Sequence, residues 1–227
     1  MRVEKEAGTM KERKVSIIFK LLVILSLLTG ILLNVIHTTS LSAILSYYTL
    51  QSNIICLVMF VRIMVAIILK KDYRSNSRYY LLKGAVVMAI LITAITYQVA
   101  LAPNGFQMDI SYTIRTKRYW ANLFVHVISP ILVLLDYVLF DQKGNFKYKY
   151  PFIWLCIPWG YVIYVYIYSA LGGRFFGIGG SREYAYKFLD YKQIGYLGVL
   201  KWIFVFTVVI FVLSNILVFL DRRKKHK

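Results

Sequence analysis

The chain has 227 residues, 59% of them hydrophobic, and a formal net charge of +18. Its mean hydropathy of +0.62 and several apolar runs of spanning length exclude an ordinary water-soluble core. The charge alone would suit nucleic acid, but it sits in short clusters flanking the apolar runs, the pattern of membrane topology.

Residues 1–14 form a polar, basic N-terminus. The apolar run Val15–Ile36 exceeds the core of a cleaved signal and reads as a retained first helix. His37, Thr38, Thr39 and Ser40 make a short polar turn. A second helix is expected over about Leu45–Leu69, followed by the basic loop Lys70–Arg78. The third, about Tyr80–Leu101, ends before the breaker cluster Pro103-Asn104-Gly105. The fourth is Tyr119–Phe140. A loop carrying Lys143, Gly144, Lys147 and Lys149 leads to a fifth helix, about Pro151–Leu171, dense in Trp and Tyr. Gly172–Tyr196 reads as a glycine-rich, aromatic loop, and the sixth helix covers about Leu197–Leu220. Residues 221–227 are a basic tail. The expected fold is all-α: a polytopic membrane protein whose residues 15–220 form a single bundle of six transmembrane helices.

Cys56 and Cys156 both lie in apolar runs, where buried free thiols are the default. His37, His126 and His226 are too scattered for a zinc site, so no metal and no cofactor are expected. Basic residues crowd one side: the N-terminus, Lys70–Arg78, Lys143–Lys149 and the tail. The other side holds fewer, among them Arg115, Lys117, Arg118, Arg174 and Arg182. The positive-inside rule then puts both termini in the cytoplasm, in a cell membrane crossed six times.

The fourth helix, YWANLFVHVISPILVLLDYVLF, places a histidine, a proline and an aspartate at membrane depth, where ionisable groups tend to face the bundle interior and to have a role. Pro130 cannot accept its neighbour's geometry: its ring clashes with the carbonyl of His126, four residues back. A kink with a freed carbonyl is expected beside the imidazole. Asn122, His126 and Ser129 share one face. The alternative is that His126 bonds a neighbouring helix and Pro130 only shapes packing.

Thr49 lies ~6 Å into the second helix and His126 ~10 Å into the fourth, both measured from the outer ends. Thr49, Ser52 and Asn53 share a face. Taken singly, such hydroxyls often bond a carbonyl of their own helix, and asparagine often joins helices. Taken with His126, Thr49 becomes a candidate nucleophile, because imidazole can accept its proton near neutral pH. Gln51, Ser52, Asn53 and Asn122 are candidates to hold substrate or its oxyanion. Arg62 and Asp136, lower on the second and fourth helices, are expected to pair as a structural clamp, since a buried Arg needs a carboxylate.

Through YYTLQSN (Tyr47–Asn53), NLFVHVISPILVLLD (Asn122–Asp136) and AYKFLD (Ala185–Asp190), the chain resembles the androgen-induced protein family, most of all its bacterial relatives. The resemblance covers most of the chain. It implies an intramembrane threonine hydrolase of lipid esters, as animal members cleave fatty-acid esters of hydroxy fatty acids. Thr49 would be the nucleophile and His126 the base. The partners would be the lipid bilayer and a fatty-acid ester substrate, with no nucleic acid. The competing expectation is a non-enzymatic multi-pass protein, either a small-molecule transporter or a structural partner.

Overall fold

The structure, a computed structural model, describes residues 2–36, 38, 40–74, 76–101, 117–177 and 180–223. The breaker Pro103–Gly105, His37, Thr39, His226 and the last basic residues lie outside the described residues. Six helices are long and apolar enough to cross a membrane: Glu12–Ile36, Tyr48–Ile68, Ser77–Val99, Tyr119–Phe140, Tyr150–Ala170 and Tyr191–Arg223. They are the first to sixth spans, and they form an all-α bundle. Large apolar residues such as Leu22, Leu25, Val58, Phe204 and Phe219 are exposed along them. Such an outward face suits hydrocarbon, where every backbone polar group must be satisfied inside the helix.

Departures from the expected boundaries have local causes. Leu41–Leu45 is a short helix of its own, capped by Ser40, whose side chain accepts from the Ala43 N–H. Extended backbone at Tyr47 (φ −77°, ψ 139°) then starts the second span at Tyr48. A π-helical turn, Phe124–Ile128, precedes Pro130. Its wider spacing absorbs the missing N–H at the place where the sequence calls for a kink. In the fifth span Leu155 separates the helices Tyr150–Trp154 and Cys156–Ala170, three residues ahead of Pro158. The loop after that span is more ordered than expected. Phe175–Gly177 pairs antiparallel with Gly180–Arg182, Phe175 opposite Arg182, and helix resumes at Tyr191. Gly195, at φ 70°, breaks that helix in a conformation disfavoured for side-chain-bearing residues.

The first four spans pack closely: the first on the second and fourth, the third on the second and fourth. Small residues allow it. A Cβ added at Gly30 would stand 2.8 Å from Val125 Cγ1, and Ser26 Oγ meets Ser129 Oγ at 2.8 Å. The fifth and sixth spans attach over the third. Trp154 anchors this layer, its Nε1 donating to the Leu81 carbonyl at 3.0 Å. The start of the first span, Lys70–Arg74, Asp141–Lys149 and Asp221–Arg223 gather at one end, the terminal face. Gly144 N donates there to the Asp221 carbonyl at 3.0 Å.

The expected Arg62–Asp136 clamp is corrected. Arg62 is exposed. Asp136, fully buried, is held by Lys20 on the first span (2.7 Å) and Lys83 on the third (2.6 Å). The first and third spans each pack against the fourth at this depth, and their lysines supply the cations. Cys56 is a buried thiol as expected, whereas Cys156 faces outward.

Candidate functional site

Thr49 stands in the first turn of the second span, at the end of the bundle away from the terminal face. It lines a cleft among the second, third, fifth and sixth spans. Ile92, Pro158, Val162, Phe206 and Ile210 make that cleft largely apolar, and Thr93, Thr96 and Thr207 add hydroxyls. It encloses about 690 Å³ of space when its open mouth is counted. The segment Tyr186–Leu189 closes one side.

Tyr186, buried, shares hydrogen bonds with the side chains of Thr49 and Tyr161. Burial pushes its phenol above the ordinary tyrosine range, so it keeps its proton. Tyr161 OH in turn donates to the Ser46 carbonyl at 3.2 Å. An aromatic shell holds Tyr186 in place. Its ring stacks on Phe188 at 5.0 Å and meets Tyr47 edge-on at 6.0 Å.

The other expected residues surround the same turn. Ser52 Oγ donates to the Thr49 carbonyl at 3.0 Å and lies 2.6 Å from Thr93 Oγ1. Asn53 Nδ2 donates to the Thr49 carbonyl at 2.7 Å and to the Val125 carbonyl at 3.3 Å. Gln51 Nε2 turns back to the Leu45 carbonyl at 3.3 Å. Asn122 is half-buried on the fourth span.

His126 is carried by the π turn. Its ring stacks on Tyr97 with centroids 3.9 Å apart and planes 14° from parallel. It also bonds the backbone of Thr93. Its Nδ1 is buried without a hydrogen-bond partner, as is Asn53 Oδ1. Buried polar atoms are almost always paired, so two unpaired ones beside a single turn mark a place where polar chemistry is favoured.

Among the described residues no hydrogen bond joins Thr49 to His126. Two short relays connect their surroundings: Thr49–Ser52–Thr93, whose backbone meets His126, and Thr49–Asn53–Val125, the residue before His126. Thr49, Ser52, Asn53 and His126 are thus brought to one end of the bundle, with Gln51 and Asn122 at its margin.

Sequence reasoning overlooked Thr93 and Tyr186. Thr93 lies within an ordinary apolar helix, and Tyr186 reaches Thr49 from a loop more than a hundred residues away in sequence. No periodicity could have joined them. Among the described residues, no group of three or more His, Cys, Asp or Glu gathers into a metal site. No family model, curated protein or solved structure matches the chain.

Proposed function

We propose that this multi-pass protein resides in the cell membrane with both termini cytoplasmic and hydrolyses an ester bond in a lipid. Thr49 is the nucleophile and His126 the general base. One observation carries the reading: Thr49 lines a largely apolar cleft, while the backbone next to a buried imidazole with an unpaired Nδ1 is tied through Asn53 to the same helical turn. The cleft suits an acyl chain, and polar groups gather at one end. The resemblance of Tyr47–Asn53, Asn122–Asp136 and Ala185–Asp190 to the androgen-induced protein family supports the same assignment. The excess of basic residues on the terminal face supports cytoplasmic termini.

In this reading Oγ1 of Thr49 attacks the ester carbonyl as its proton passes to His126. The alkoxide leaves with that proton, giving an acyl-threonine and an alcohol. Water, deprotonated by the same imidazole, then releases the fatty acid. Thr49 must exchange its contact with Tyr186 for one with His126. Catalytic hydrogen bonds often tighten only around substrate.

A second reading, a non-enzymatic transporter, is favoured by the charges of Lys20, Lys83, Asp136 and Asp141 buried within or at the ends of the spans. A fluorophosphonate probe separates the two. The hydrolase predicts covalent labelling of the wild-type protein and none of Thr49→Ala. Equal labelling of both proteins removes catalysis at Thr49.

A further inference from the structure

The terminal face carries a second cleft, unconnected with Thr49. It opens between the start of the first span, the end of the second with its following loop, and the end of the fourth. It holds about 1230 Å³ of space, its mouth included. Arg13, Lys70, Lys71 and Arg74 line it, with Glu12 and Asp72, so four cations face two anions. Below them the wall turns apolar: Ile17, Ile67, Leu139 and Phe140. A basic rim above an apolar wall, at the ends of three spans, is an amphipathic seat at the level of the membrane–water boundary.

Lys70 and Lys71 alone have a simpler explanation, since cations at a helix C-terminus complement its dipole. Arg13 and Arg74 belong to other segments and do not share it. Two features set the rim apart. Lys70 is the one non-glycine described residue with positive φ, 53°, at a helix end where glycine is the usual occupant. That strained turn is locked by Lys71 N donating to the Ala66 carbonyl at 2.9 Å, and it holds the two lysines at the cleft. Arg74 Nε is buried without a hydrogen-bond partner. Its guanidinium also borders the adjoining cleft beside Lys147 and Arg222. Among the described residues, no ion pair engages Arg13, Lys70 or Lys71.

We propose that this cleft binds the phosphate headgroup of an anionic membrane lipid, with an acyl chain against Ile17, Ile67, Leu139 and Phe140. The guanidiniums of Arg13 and Arg74 suit phosphate oxygens, and the two ammonium groups add point charge. Clusters of cations beside a span favour anionic headgroups, each contributing attraction at the surface. Ser16, in the cleft wall, accepts from the buried Lys20 ammonium at 3.0 Å. Occupancy is therefore felt next to Lys20–Asp136.

The test is native mass spectrometry of the full-length protein released from nanodiscs of mixed phosphatidylglycerol and phosphatidylcholine. Retained phosphatidylglycerol in excess of phosphatidylcholine is expected. A Lys70→Gln/Lys71→Gln/Arg74→Gln variant should retain about tenfold less, while a charge-matched Lys14→Gln/Arg78→Gln/Lys149→Gln control, at residues outside both clefts, should retain it as the wild type does. Equal loss in both variants would mean diffuse surface charge and overturn the site. Equal retention of the two lipids would overturn it as well. In lipid-free detergent, stabilisation by inorganic phosphate that matches stabilisation by phosphatidylglycerol would assign the rim to free phosphate, against the proposal. A melting temperature within a few degrees of wild type shows that the variant has folded.

Discussion

Lys83 Nζ lies 2.6 Å from Asp136 Oδ2, and both side chains are wholly buried between the third and fourth spans. The other carboxylate oxygen takes Lys20 at 2.7 Å. Lys83 also stands 3.4 Å from Asp141, which accepts from Tyr79 OH at 2.5 Å. Two cations and two anions thus balance near the terminal face. Removing one member leaves a partner charged and desolvated. Asp136→Ala is expected to destabilise the fold by about 3–5 kcal/mol, whereas Arg62→Gln, on the outward face of the second span, should not destabilise it, since it removes a charge from that face. Thermal unfolding in detergent micelles compares the two. A larger loss for Arg62→Gln would overturn this assignment of the clamp.

Gly84 is crowded by the Trp154 ring, which a Cβ at position 84 would strike. Trp154 is 1% exposed and fixed by its bond to the Leu81 carbonyl, so it cannot yield cheaply. Gly84→Ala should cost about 1–3 kcal/mol by overpacking, despite alanine's better helix propensity. Pairing it with Trp154→Phe should recover part of the loss, read as non-additivity in a double-mutant cycle.

Asp221 closes the terminal face by accepting from Tyr137 OH at 2.5 Å and from Phe146 N at 2.8 Å. Asp221→Ala leaves both donors unpaired in a buried setting, at about 1–3 kcal/mol each. Hydrogen exchange should speed first at Phe146 and its neighbours. Unchanged protection there would show that the loop is held by other contacts.

Lys192 and Arg174 hold the Glu183 carboxyl below the usual carboxylate range, at 2.5 Å and 3.1 Å. A carboxylate with a depressed folded-state pKa contributes stability above its unfolded value, about 4.3, and loses it as pH falls through the lower folded value. The hairpin at Phe175–Arg182 should therefore loosen on acidification. Glu183→Gln should flatten that pH dependence of hairpin protection while leaving the spans unaffected.

Under the hydrolase reading, His126→Leu should lower kcat by about 10²–10⁴. It removes a buried, unpaired Nδ1 but also the bond to the Thr93 backbone and the stack on Tyr97, so the melting temperature should fall by a few degrees while the protein stays folded. A collapse of stability with no effect on kcat would make His126 a packing residue.

The six spans were legible because hydrocarbon imposes a composition: runs of about 20 apolar residues leave little else that the chain could be. Pro130 announced the irregular turn around His126 for an equally local reason, its missing N–H. Thr49, Ser52 and Asn53 on one helical face followed from period alone. What the sequence withheld were partnerships across the bundle. Arg62 and Asp136 looked matched in depth, yet depth says nothing of azimuth, and packing turned Arg62 outward while Lys20 and Lys83 reached the carboxylate. Thr49 likewise met Tyr186 because a loop folds back over the cleft. A bilayer fixes how deep each residue lies; only the packing of helices against one another fixes which residues face each other at that depth.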